Sequence, residues 1–173
     1  GSESYIGKFQ AEGMVVDTQP IGFNRAVLLV AKGNPKNISA DMNNFINGQY
    51  RTILGASESG SIGRETRLIL NSEGFYRKAV AQALFLATDS RKLVTAIEEN
   101  RADLTINWHA ATLSGKNRTL VDILPLDNIV APPQVLILGL LKTSHHFELT
   151  RRFMQLAGSD QRQALLSRYG FGE

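Results

Sequence analysis

Six consecutive apolar residues, Ala26–Ala31 (AVLLVA), stand between Arg25 and Lys32 without a polar interruption. The run has strand length, and "GNP" after Lys32 closes it with turn chemistry. A strand with no polar face must be covered on both sides, so helices have to pack over both faces of its sheet. That requirement selects an α/β architecture. At 173 residues, 43% of them hydrophobic, the chain can build one ordinary domain of this kind but not two large ones.

The rest of the chain alternates in the same manner. Tyr5, Ile6, Phe9 and Met14 line one side of a helix predicted over 4–12 and stopped by Gly13. Asp41 caps a short helix holding Met42, Phe45 and Ile46. "RTIL" (51–54) is a strand followed by a helix over about 63–71, and "ALFLAT" (83–88) is another short strand. Asp89 caps a helix over 90–99 that carries Leu93, Val94 and Ile97 on one face and stops at Asn100. Strands follow at "ADLTIN", "LVDIL" and "PQVLILGLLK", and helices over 145–157 and 160–169 close the chain. Short strands alternating with helices predict a mostly parallel sheet flanked by helices.

The chemistry concentrates in one connection. "GASESGSI", Gly55 to Ile62, places three serines and two glycines between a strand and a helix. In an open α/β sheet, ligands sit beyond the carboxyl ends of strands, where the next helices begin. A helix start offers unpaired N–H groups and about half a positive charge, so it holds an anion without lysine. Ser57, Ser59 and Ser61 add hydroxyls. "ATDSRK" brings Asp89 and Ser90 to a second helix start. The plainer account is that one serine and Asp89 are ordinary N-caps and the other serines decorate a loop.

Other chemistries fall away. There is no cysteine, which removes disulfides, thiol catalysis and Cys-type zinc sites. "SESGS" is not a nucleophile elbow, and "SGKNRT" lacks the upstream glycine and the hydroxyl after lysine that a phosphate-binding loop needs. His145 and His146 are adjacent and point to different sides of a helix, so they do not make a metal site. With no base–nucleophile pair, an enzyme is not expected. The net charge is +3, yet Lys and Arg are scattered and never interleave with aromatics, so nucleic acid is not an expected partner. "QVLILGLL" is far shorter than the about 20 residues of a membrane-spanning helix. Trp108, the only tryptophan, follows the strand "LTIN" and suits either a core or a ligand-facing role.

The order of these pieces resembles the substrate-binding protein of molybdate-type ABC importers, which has the type II periplasmic binding protein fold. The similar stretches are "YIGKFQAEGMV", "FNRAVLLVAKGNP", "GASESGSIGRET", "LVTAIEENRADLTINW" and the tail "HFELTRRFMQLAGSDQRQALLSRYGF". In that tail Thr150 stands where the family usually has alanine. The resemblance implies a second ligand-binding lobe over 25–128, with 1–24 and 129–173 returning to or packing with a first lobe. It implies no cofactor, a small oxyanion such as molybdate or tungstate as ligand, and a membrane permease as partner in the periplasm or another extracytoplasmic space.

Carried over residue by residue, the contacts fall on Ser61, Ile62 and Gly63 at one helix start and on Ser90 at the next; Ser59, in the loop before the first, is a candidate through its own hydroxyl. Trp108 takes the place of a tyrosine whose hydroxyl touches the anion in the family. An indole has one donor and no hydroxyl, so its contact must differ. The family's N-terminal stretch, with two further serine contacts, has no counterpart here, and Gly1-Ser2 reads as a cloning remnant. The expectation is therefore weak, millimolar anion binding, with a homodimer as one way of covering apolar surface. An effector-sensing domain of a transcriptional regulator is the alternative with the same fold.

Overall fold

The computed structural model describes residues 3–172, with side chains from Ile6 onward. Gly1-Ser2 and the Tyr5 side chain, both used above, lie outside the described residues. In chain order the elements are α1 (Glu3–Ala11), β1 (Val15–Asn24), β2 (Ala26–Ala31), a 3₁₀ turn (Met42–Phe45), β3 (Leu54–Gly55), α2 (Ser61–Ser72), α3 (Tyr76–Gln82), β4 (Leu86–Ala87), α4 (Ser90–Glu98), β5 (Leu104–Trp108), α5 (His109–Leu113), a second 3₁₀ turn (Asn117–Thr119), β6 (Val121–Pro125), β7 (Gln134–Leu141), α6 (Phe147–Ala157) and α7 (Asp160–Arg168). They form two compact units, Arg25–Pro132 and the remainder, Gly1–Asn24 with Pro133–Glu173.

Within Arg25–Pro132, β2 is the central strand, and Leu28, Leu29 and Val30 are buried as its unbroken apolar run requires. It pairs with β5 on one side and β6 on the other, antiparallel to both. The segment leading into β3 joins β5 through an isolated parallel bridge between Thr52 and Leu104, and β4 pairs with β3 in parallel. The order is thus β4-β3-β5-β2-β6, with four strands pointing one way and β2 opposed. The mixed α/β class matches expectation. The direction of β2 was not legible, because burial on both faces is equally compatible with parallel and antiparallel neighbours.

Helices α2 and α4 cover this sheet through spaced apolar faces. Ile62, Thr66, Ile69 and Leu70 of α2 are buried, as are Leu93, Val94, Ala96 and Ile97 of α4. Phe45, Ile53, Leu54, Leu104 and Ile106 belong to the same buried apolar cluster. Because β3, β4 and β5 are neighbours running in one direction, their carboxyl ends share one edge. The start of α2, the start of α4 and Trp108 therefore collect at that edge.

The second unit is built on an antiparallel ribbon of β1 and β7. Sequence reading missed β1, because Pro20 and Gly22 interrupt it. The ribbon absorbs both at a register irregularity between those two residues. Gly22 has φ +151°, and a Cβ there would collide with the Phe171 carbonyl, which accepts the Phe23 N–H at 2.9 Å. The terminal Tyr-Gly-Phe segment is thereby fastened to β1.

Candidate functional site

The start of α2 follows from a close approach of two glycines. A Cβ on Gly55, in β3, would come within 2.9 Å of the Gly63 backbone, and one on Gly63 would collide with the Ala56 carbonyl. Small residues on both sides let the helix begin tight against the strand end. Ala56 donates its N–H to Ala87 at 2.8 Å, holding the loop beside Thr88, and Ser59 donates to Ala56 at 3.1 Å to close the turn. The helix begins at Ser61, two residues before the sequence expectation, because its cap is Gly60, which has no side chain to signal it.

That cap leaves the helix end open. Gly60 is extended and no side chain caps α2, so the N–H groups of Ser61, Ile62 and Gly63 have no capping partner. The start of α4 is the opposite case. The Asp89 carboxylate accepts from the N–H of Arg91 at 2.9 Å and of Lys92 at 3.1 Å, occupying two of the donors that an open end would offer. The Lys92 amide, then the Arg91 amide and the two cationic side chains, hold the Asp89 carboxyl below its ordinary range despite some burial, so it is ionised at neutral pH.

Ser59, Gly60, Ser61 and Ile62 from the first helix start, and Thr88, Asp89, Ser90 and Arg91 from the second, line one cleft of about 270 Å³. The structure thus places Ser59, Ser61, Ile62 and Ser90 together. Ile62 presents only its backbone, since its side chain is in the core. Gly63 lies behind the lining, against the Ala56 turn. Trp108 also stands behind it: the ring is buried, and its one donor, Nε1–H, reaches Ser61 Oγ at 3.2 Å.

Sequence reading missed Asn107. Fully buried at the end of β5, it donates from Nδ2 to the Ser90 carbonyl at 3.0 Å and accepts the Trp108 N–H on Oδ1 at 2.8 Å. One strand end therefore reaches both helix starts, Trp108 touching α2 and Asn107 touching α4. The available signal was a polar residue within the apolar strand "LTINW". The charged rim was also missed, with Arg91 Nε 3.8 Å from Asp89 Oδ1 and Lys92 Nζ donating to Thr88 Oγ1 at 2.9 Å.

Chemically, the cleft offers open amides, a helix dipole and several hydroxyls. Among the described residues no three His, Asp or Glu side chains group as a metal site, and no helix is long and apolar enough to cross a membrane.

The family model of bacterial extracellular solute-binding proteins matches residues 1–172. Sequence comparison with curated proteins finds no match. Among solved structures, the Azotobacter vinelandii periplasmic molybdate-binding protein aligns with a TM-score of 0.77 at 14% identity, over 99% of this chain and 75% of its own. The sulfate-binding protein SubI from Mycobacterium tuberculosis H37Rv gives 0.79 at 17% identity, over 98% and 65%. Peb3 from Campylobacter jejuni gives 0.73 at 18% identity, over 99% and 76%. At these identities the likeness is one of fold.

Proposed function

The chain belongs to the bacterial extracellular solute-binding proteins, and we propose that it captures a small oxyanion in the cleft between the starts of α2 and α4. It is a binding protein and not an enzyme. Molybdate or tungstate is the first choice of solute, with sulfate, a phosphonate or a small carboxylate satisfying the same donors, and delivery goes to the membrane permease of an ABC importer. On this reading Arg25–Pro132 acts as one ligand-binding lobe, and Ser59, Ser61, Ile62 and Ser90 carry the contacts. The molybdate- and sulfate-binding proteins of the same fold support an oxyanion as the solute class.

The observation that carries the proposal is that the start of α2, which no side chain caps, opens onto one cleft together with the start of α4. Helix ends in a folded chain are normally satisfied by a cap, water or a ligand. Here a glycine holds the cap position while two hydroxyl-bearing residues flank the opening, an arrangement suited to an anion. Asp89 opposes binding through its charge, and the adjacent Arg91 and Lys92 offset it. The result is a site that favours compact anions held close to the α2 amides.

Calorimetric or NMR titration with molybdate, tungstate, sulfate and phosphate at low salt tests this. We expect saturable binding of at least one of them, weakened about tenfold or more in Ser61→Ala and in Ser90→Ala through loss of a charge-assisted hydrogen bond. Binding that ignores both substitutions, or no binding of any of the four, overturns it.

A further inference from the structure

We infer that Trp108 is a positioning residue of this cleft, whose indole N–H fixes the Ser61 hydroxyl as a donor to the solute; the inference rests on the oxyanion reading above. An indole has one donor and no acceptor. Its Nε1–H is spent on Ser61 Oγ at 3.2 Å, and the ring itself does not line the cleft. A hydroxyl has one proton and two lone pairs. With one lone pair held by the indole, the Ser61 proton has to point away from the ring. Ser61 is the first residue of α2 and lines the cleft, so the remaining direction is toward whatever occupies that space.

The donor is rigid. Trp108 is buried, sits in register with Ala26 on β2, and has its backbone N–H held by Asn107 Oδ1 at 2.8 Å. A hydroxyl oriented before binding loses little rotational freedom when the solute arrives, which is how preorganisation raises affinity. It also sorts solutes. A serine whose proton is turned toward the cleft welcomes an oxygen that carries lone pairs, and with one of its own two lone pairs already taken it has less to offer a group that must itself donate. The positioned donor therefore favours an unprotonated oxygen at that point of the cleft.

The test uses the full chain, with sodium molybdate, sulfate and phosphate as probes. Trp108→Phe keeps most of the bulk and removes the donor; it should bind about five- to tenfold more weakly, the scale of one hydrogen bond. The double variant with Ser61→Ala should bind no more weakly than Ser61→Ala alone, because Trp108 acts through that hydroxyl. A Trp108→Phe chain that binds as well as the parent, or losses that simply add, overturns the inference and leaves the oxyanion reading standing.

The sole tryptophan supplies a second measurement that needs no solute. Its indole ¹H–¹⁵N signal should shift and exchange faster with water in Ser61→Ala. An unmoved signal overturns the inference even if folding is perturbed. A parent chain that takes none of the three anions, while the indole signal does respond, overturns the oxyanion reading and the positioning role with it.

Discussion

The side-chain amide of Asn107 donates to the Ser90 carbonyl at 3.0 Å, so the end of β5 holds the first residue of α4. The same side chain accepts the Trp108 N–H, and it is fully buried. Asn107→Ala removes a partner from two backbone groups where water has little access. The expected loss is about 2 kcal/mol of stability. Urea unfolding should show a lower midpoint with an unchanged slope. Solute affinity should fall as well, since the Ser90 hydroxyl loses its support.

The approach of Gly55 to Gly63 makes a second prediction. A methyl group on Gly63 meets the Ala56 carbonyl, which is backbone and cannot turn aside. Gly63→Ala should therefore cost about 2–3 kcal/mol, near the upper part of the overpacking range, despite the better helix propensity of alanine. A drop of several degrees in melting temperature checks it. An unchanged or raised value would show that the turn before α2 yields easily.

Much of this site was legible in the chain. Small residues at 55–61 announced close backbone approach, Asp89 announced the cap of α4, and Asn100 takes the left-handed conformation with φ 53° expected of its stop. Other parts had no signal to read. α3 buries only Ala79, so no apolar stripe marks it. β1 carries Pro20 and Gly22, which a ladder between two strands tolerates but a pattern search rejects. The Gly60 cap is silent because its function is to lack a side chain. Which way Trp108 spends its N–H depends on β5 lying beside β3, a long-range fact that no local spacing encodes.

Asp103 predicts how the fold responds to acid. Its burial disfavours charge, but hydrogen bonds from Arg51 and Lys36 outweigh that and hold the carboxyl at about 2, against an ordinary 3.8. Arg51 Nη2 lies 2.7 Å from Oδ1 and Lys36 Nζ 2.9 Å from Oδ2. A carboxyl whose pKa is lower in the folded state stabilises it above its unfolded value, and that contribution disappears as pH falls through the folded value. Asp103→Asn should thus be less stable by about 2 kcal/mol at neutral pH. The gap to the parent should close between about pH 4 and about pH 2. Denaturant midpoints across that range test it, and a gap independent of pH would assign the loss to packing instead of charge.

The sharpest separation of stability from binding comes from Gly60. Its φ of −168° is extended backbone that any residue adopts, and a Cβ there would lie an ordinary 3.5 Å from the Thr88 carbonyl oxygen. Gly60→Asp can therefore be accommodated and should cap α2 as Asp89 caps α4. The gain is a few tenths to about 1 kcal/mol, from the new hydrogen bonds and the favourable dipole. Melting temperature should rise by roughly 1–3 °C. The amides that cap occupies are those assigned to the solute, and the new charge repels an anion, so binding should fall below detection. Gly60→Ala leaves the amides open and should bind like the parent. A Gly60→Asp chain that is both more stable and still takes up oxyanion would mean that the α2 amides do not hold the solute, because one helix end cannot satisfy a carboxylate cap and a bound anion with the same donors.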